Sequence, residues 1–214
     1  MSIHIYAFGS VCRGEVSHDS DVDLLAIVDG QDDRFNPEVY SVYSPARIRT
    51  LWTEGNPFAW HLALEARLLF TTAQTDFLAS LGKPNRYLKC SEDAEKFARL
   101  FDEAHESLLS KGSSSVFDLS MLFLSIRNIA TCYSLGMSSE PTFSRRSALE
   151  LGPDNVPLTE PSYEILKRAR VLCTRGYGPK VTKNEAHAVV NELIAVKRWM
   201  IELIGRTHEH ERVQ

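Results

Sequence analysis

The chain carries no strong charge of either sign: 24 Lys and Arg stand against 28 Asp and Glu, a net charge of −4. A dedicated duplex-nucleic-acid binder needs a basic face to displace counter-ions from phosphate, so this balance argues against one. Cysteine is sparse. Cys12, Cys90, Cys132 and Cys173 are scattered with no CxxC pair, which excludes a zinc pattern and a disulfide framework. No apolar run reaches the ~18 residues that a membrane helix needs. The opening Met-Ser-Ile-His-Ile-Tyr has no basic segment leading into an apolar stretch, so no signal peptide is expected. Internal repeats and low-complexity tracts are missing too. These absences leave the expectation of a reduced, cytoplasmic protein with no membrane partner. Its 214 residues, 43% of them hydrophobic and 24% charged, suffice for one large domain or two of roughly 100 residues each.

The two halves of the chain differ in period. Over residues 3–71 the apolar runs are short, rich in β-branched and aromatic residues, and cut by turn residues. Residues 3–8 read as a strand that enters Gly9-Ser10 and then a short helical segment over 11–16. Residues 21–28 (Asp-Val-Asp-Leu-Leu-Ala-Ile-Val) give the strongest strand signal, stopped by Asp29-Gly30. Residues 39–43 alternate as a further strand. Ser44-Pro45 opens a helix, with a capping serine before a proline at the first helical position. A second helix is expected over 57–65 and a closing strand over 67–71.

From Ser91 onward the period is helical. Helices are expected over 91–109, over 116–135 with Gly136 as the stop, over 162–175, and over 182–204. Thr182 and Glu185 have the spacing of a capping box at the start of the last. Four of the nine prolines lie between 141 and 161, which should be irregular. The expectation is an α+β chain: an α/β unit over residues 1–88 and a four-helix unit over residues 89–214.

The informative stretch is Gly9-Ser10, ten intervening residues, and then Asp21-Val22-Asp23. At usual residue frequencies those four fixed positions recur by chance roughly once in 100,000 positions. Each has a physical task. A Gly-Ser turn between a strand and a helix frees backbone N–H groups, which with the helix dipole should cradle phosphate. Gly9 allows close approach of the main chain, and the Ser10 hydroxyl can donate to a phosphate oxygen. Arg13 is expected in the first turn of the 11–16 helix, where its guanidinium could also reach phosphate.

Asp21 and Asp23, two apart on a strand, should project from one face. Side by side they repel each other, and a divalent cation removes that penalty. Hard oxygens plus nucleotide phosphates suit Mg²⁺, which takes one or two protein carboxylates. In a two-metal site such ions activate a hydroxyl and steady a leaving pyrophosphate. The expected chemistry is in-line attack on an α-phosphate.

On these residues the segment resembles the DNA polymerase beta-type nucleotidyltransferase superfamily. It is most similar to the small prokaryotic branch with minimal nucleotidyltransferases and kanamycin nucleotidyltransferase. The resemblance covers residues 3–71. It implies a mixed sheet with helices packed on one side, Gly9-Ser10 as the phosphate-contacting turn, and Asp21 and Asp23 as metal ligands. It further implies ATP as donor and a hydroxyl acceptor on a small molecule or a protein. The helical half resembles the four-helix HEPN-type bundles that accompany such domains.

The sequence departs from that pattern twice. Family enzymes supply a third carboxylate from a following strand, whereas Val39-Tyr40-Ser41-Val42-Tyr43 has no acid. Glu38, at the start of this strand, and Glu65 are the substitutes. His61 and Glu65 are spaced i, i+4 and so share one helical face, which makes either a candidate base or substrate contact, or else an ordinary surface pair. HEPN ribonucleases resemble one another in an Arg-Asn-x-x-x-His element; here Arg127 and Asn128 are followed by Cys132. Ribonuclease chemistry is therefore not expected, and Arg127 and Asn128 are read as polar groups near the bundle or domain interface.

Smaller signals read as structure. Phe143-Ser144-Arg145-Arg146 is taken as a loop that packs by Phe143, and Trp52 and Trp60 as packing against the sheet. The 208–212 tail is taken as a fraying helix end. The functional expectation is a Mg²⁺-dependent transferase with Asp21, Asp23 and Glu65 catalytic and Gly9, Ser10 and Arg13 holding nucleotide. The alternative is a nucleotide- or partner-binding module of antitoxin type. An apolar bundle is also compatible with a homodimer.

Overall fold

The computed structural model describes residues 2–16, 22–30, 32–110 and 114–212. They form two compact units, Met1–Leu88 and Lys89–Gln214. The first contains β1 (Ile3–Phe8), β2 (Asp23–Val28), β3 (Tyr40–Tyr43), α1 (Pro45–Thr53), α2 (Pro57–Glu65), β4 (Arg67–Thr71) and the short α3 (Phe77–Ser80). The strand order is β3-β2-β1-β4. β1 runs antiparallel to both neighbours, while β2 and β3 are parallel, so the sheet is mixed.

Strand alternation sets the faces. Tyr6 pairs with Leu25 and Phe8 with Asp23. Tyr6, Phe8, Leu25 and Ile27 share a core with Ile48, Leu51 and Trp52 of α1, Ala59 and Leu62 of α2, and Phe77 and Leu78 of α3. Each fully buried aliphatic or aromatic side chain of this kind contributes about 1.5–3 kcal/mol. Asp23, in phase with Leu25 and Ile27, therefore lies on the helix-covered face but at the exposed end of its strand.

Local chemistry fixes the helix starts. The Ser44 hydroxyl accepts from the Arg47 amide and the Asn56 side chain from the Phe58 amide, and in both helices a proline follows the cap. Asp76 caps α3 by accepting from the Ala79 amide, and it also accepts from the Tyr6 hydroxyl at 2.8 Å. Trp52 is buried and donates to the Gly82 carbonyl, and Trp60 donates to the Asn85 carbonyl. Both indoles thus hold the segment after α3.

Two expectations here need correction. Residues 11–14 form turns rather than a helix. β2 begins at Asp23, and Asp21 lies outside the described residues.

The second unit is built on α4 (Cys90–Ser110), α5 (Ser115–Met137), α6 (Glu160–Arg175) and α7 (Lys183–Arg212). Phe101, Leu122, Ile126, Ile129, Tyr163, Leu166, Leu193 and Val196 form its core. Contrary to the expectation that no apolar run is long enough, α5 could cross a membrane by length and composition. Its most apolar stretch is 61% buried inside this unit, as suits a central core helix.

Gly136 does not stop α5. The helix runs on to Met137, and Gly136 lies where an added Cβ would stand 2.7 Å from the Cys90 Sγ. The expected capping box forms at α7: the Thr182 amide donates to Glu185 at 2.8 Å and the Glu185 amide to the Thr182 hydroxyl at 3.3 Å. The C-terminal segment does not fray before Arg212. His208 pairs with Glu95 at 2.8 Å, and Glu211 accepts from the Ser91 amide and hydroxyl, which fastens α7 to α4. The proline-rich stretch is irregular apart from two single 3₁₀ turns, Ser147–Leu149 and Gly152–Asp154.

Candidate active site at the end of the central strands

β1 delivers the chain into the Gly9-Ser10 turn, and a series of main-chain hydrogen bonds then folds it back. The Cys12 and Arg13 amides donate to the Gly9 carbonyl at 3.0 and 3.3 Å, and the Glu15 amide donates to the Ser10 carbonyl at 2.9 Å. Gly9 has φ +77°, the left-handed region that favours glycine. The space a side chain would need is already taken: a Cβ on Gly9 would collide with Oδ2 of Asp23. The glycine in this motif thus admits the carboxylate of the neighbouring strand. Ser10 is buried beside it.

On the opposite side of β1, Arg67 of β4 pairs with Ala7, and Glu65 at the end of α2 stands just before it in sequence. Arg13 Nη1 donates to Glu65 Oε2 at 2.5 Å, and Nη2 donates to Glu15 Oε2 at 3.0 Å. Burial opposes charge on Arg13, yet its hydrogen bonds to Glu15 and the charges of both acids hold the guanidinium above its ordinary value. His61 Nε2 lies 2.7 Å from the same Glu65 oxygen, and its ring meets Phe8 edge-on at 5.5 Å between centroids. Burial pushes the Cys12 thiol up; Arg67 and Arg13 act against that shift, while Glu65 and Asp23 reinforce it. One thiol feels two cations and two carboxylates, so all five side chains belong to a single electrostatic neighbourhood.

Five of the six expected site residues, Gly9, Ser10, Arg13, Asp23 and Glu65, therefore gather at one end of the sheet. The sixth, Asp21, is not among the described residues. The strand beside β2 brings no acid: the register places Ser41 opposite Leu25 and Tyr43 opposite Ile27, on the face that Asp23 shares. Glu38 is exposed ahead of β3, its amide bound to the Asn36 side chain. Among the described residues no three His, Cys, Asp or Glu side chains cluster as a metal cage. Asp23 alone still offers hard oxygen at the exposed end of β2, enough to share a cation with phosphates.

Sequence reasoning missed Glu15, whose one signal was its position two residues after Arg13 across Gly14. Arg127 of the helical unit is engaged with its own loop. It donates to the carbonyls of Phe143 and Ser144 at 2.9 and 3.3 Å, and its carbonyl accepts from the Ser147 hydroxyl. Phe143 is buried, as expected for a loop that packs by its aromatic ring, and Arg146 pairs with Glu160. Cys132 is buried, and its carbonyl accepts from the Cys90 thiol.

No curated protein matches the chain. The family model described as the nucleotidyltransferase domain does match, over residues 2–111, just over half of the 214 residues. That span holds β1, the Gly9-Ser10 turn, Arg13, Asp23 and Glu65, and the chain belongs to the nucleotidyltransferase domain family.

Proposed function

We propose that this protein is a Mg²⁺-dependent nucleotidyltransferase that moves AMP from ATP to a hydroxyl group on a small molecule or a protein. The observation that carries the reading is the convergence of the Gly9-Ser10 turn, Arg13 and Asp23 at one end of a nucleotidyltransferase sheet. Asp21 and Asp23 are the residues that would hold Mg²⁺, which when bound neutralises phosphate charge and favours departure of pyrophosphate.

The protein's own groups divide the remaining work. The Gly9-Ser10 turn and the Ser10 hydroxyl hold phosphate oxygens, and Arg13 offsets charge that builds on the leaving group. The Glu65 carboxylate, oriented by His61, takes the proton of the acceptor hydroxyl. The acceptor oxygen then bonds to the α-phosphorus as the bond to pyrophosphate breaks. We assign the base to Glu65 rather than Glu38 because Glu65 lies in the cluster, with His61 at 2.7 Å to orient it, whereas Glu38 is exposed ahead of β3.

The second reading is a nucleotide- or partner-binding module of antitoxin type, with the helical unit as a HEPN-like bundle. It is favoured by the acid-free β3 and by the tie of Glu65 to Arg13. An assay with α-labelled ATP, Mg²⁺ and a cell lysate as acceptor pool separates the two. Label should reach a protein or a small molecule and fall at least roughly a hundredfold in Asp21→Asn/Asp23→Asn. Mg-dependent ATP binding with no transferred label would establish the binding module.

A further inference from the structure

Arg13 is held unlike an ordinary surface cation. Its two terminal nitrogens each carry a carboxylate, but the two acids are not equivalent. Glu65 is 10% exposed at its side chain and is itself braced by His61, whereas Glu15 is 38% exposed. The third donor, Nε, is buried and has no partner among the described residues.

A guanidinium presents Nε and Nη2 as one edge of its fork, the edge that binds a two-oxygen acceptor side-on. Glu15 fills only the Nη2 half of that edge and leaves Nε unsatisfied. A buried unpaired donor is unfavourable, and a phosphate offers enough oxygens to take both positions.

We infer that Glu15 is a placeholder for the phosphate chain of the nucleotide: the triphosphate displaces it from Arg13 and occupies Nε and Nη2 together, while Glu65 and His61 keep the guanidinium in position from the Nη1 side. The inference rests on the reading of Gly9, Ser10 and Arg13 as the phosphate cradle. Physically, exchange at Glu15 is the easier one. An exposed carboxylate that leaves Arg13 regains water, whereas release of Glu65 would strand a buried acid. Glu65 and His61 are thus positioning residues toward nucleotide binding, whatever their part in proton transfer.

The test is calorimetric titration of the full chain with ATP and Mg²⁺, and separately with pyrophosphate. Glu15→Gln keeps the size of an exposed side chain and removes its charge. It should tighten both ligands roughly three- to tenfold. Arg13→Lys lacks the fork and should weaken both by at least about tenfold. Glu65→Gln should weaken them as well, opposite in sign to Glu15→Gln, with thermal melting to confirm that it is folded. Unchanged or weaker binding in Glu15→Gln, alongside weakened binding in Arg13→Lys, would overturn the placeholder and leave the cradle standing. No binding of ATP by the wild-type chain would overturn the reading of the site and the placeholder together.

Discussion

At Gly9 two constraints coincide, a backbone angle and an occupied space, and Gly14 provides the control for separating them. Both have φ +77°, but an added Cβ meets Asp23 at Gly9 and nothing within 4 Å at Gly14. The left-handed angle alone costs a residue with a Cβ roughly 1–2 kcal/mol. Gly14→Ala should therefore lose about that much in urea unfolding. Gly9→Ala should lose clearly more and also weaken ATP binding, because Asp23 must move. Equal losses at the two positions would show that the contact with Asp23 is immaterial.

His4 gives a pH-dependent prediction at the same scale. It is buried in β1, accepts or donates through Nδ1 to the Thr71 hydroxyl at 2.9 Å, and packs against Phe77. Burial lowers its pKa below the ordinary 6.5, despite the opposing charges of Asp76 and Asp29. As pH falls through 6.5 the unfolded chain takes up the proton first, so stability declines below that pH. The urea midpoint of the unit over residues 1–88 should fall between pH 7.5 and 5, and His4→Gln should flatten that slope.

Among the elements, those whose ends are written in local chemistry were legible, and those set by packing were not. Ser44-Pro45 and Asn56-Pro57 mark α1 and α2 through cap side chains and proline, and the structure starts both helices there. The segment 11–16 has nothing comparable, and its amides bond back three, four or five residues, to the Gly9, Val11 and Ser10 carbonyls, so no regular helix is built. Gly136 looks like a stop because glycine is a poor helix former, but its reason is the Cys90 side chain on α4, a tertiary fact. Gly→Ala inside a helix ordinarily stabilises by about 1 kcal/mol. Gly136→Ala should instead lower the melting temperature, and Cys90→Ala should recover only part of the loss, because the Cys90 Cβ itself would stand 2.9 Å from the added methyl.

The α7 start supplies an acid-sensitive device. Hydrogen bonds from Arg168 and then from the Thr182 amide and hydroxyl depress the Glu185 carboxyl from 4.5 to about 2. A depressed acid stabilises the fold above its unfolded value and loses that contribution as pH falls from 4.5 through about 2. Glu185→Gln should melt lower at pH 7, and the difference from wild type should vanish near pH 2.

For the whole molecule, each unit has its own core: Tyr6, Leu25, Ile48 and Leu62 in the first, Leu122, Ile129, Leu166 and Val196 in the second. Truncation of a buried leucine costs about 2–5 kcal/mol. Leu62→Ala and Leu122→Ala should therefore displace different thermal transitions in calorimetry; a single transition shifted equally by both would show one cooperative body. The candidate site was legible in the sequence where it is carried by one continuous segment, Gly9 to Asp23. Its remaining acid was harder to find, since Glu65 reaches Arg13 only because β4 returns antiparallel beside β1. Nothing in the one-dimensional spacing shows that the acid arrives from this side rather than from β3.

That strand order also decides how the site comes apart. Gly9 follows β1 and Asp23 opens β2, the two strands with a neighbour on each side, whereas Glu65 leads into β4, which has one. Native proteins fluctuate open from their margins inward. In transient excursions β4 can detach and take Glu65 away from Arg13 while the turn and Asp23 stay in place. Amide protons of β4 should then exchange with solvent sooner than those shared between β1 and β2. The molecule would spend brief intervals with Arg13 released from Glu65 while the Gly9-Ser10 turn and Asp23 keep their places.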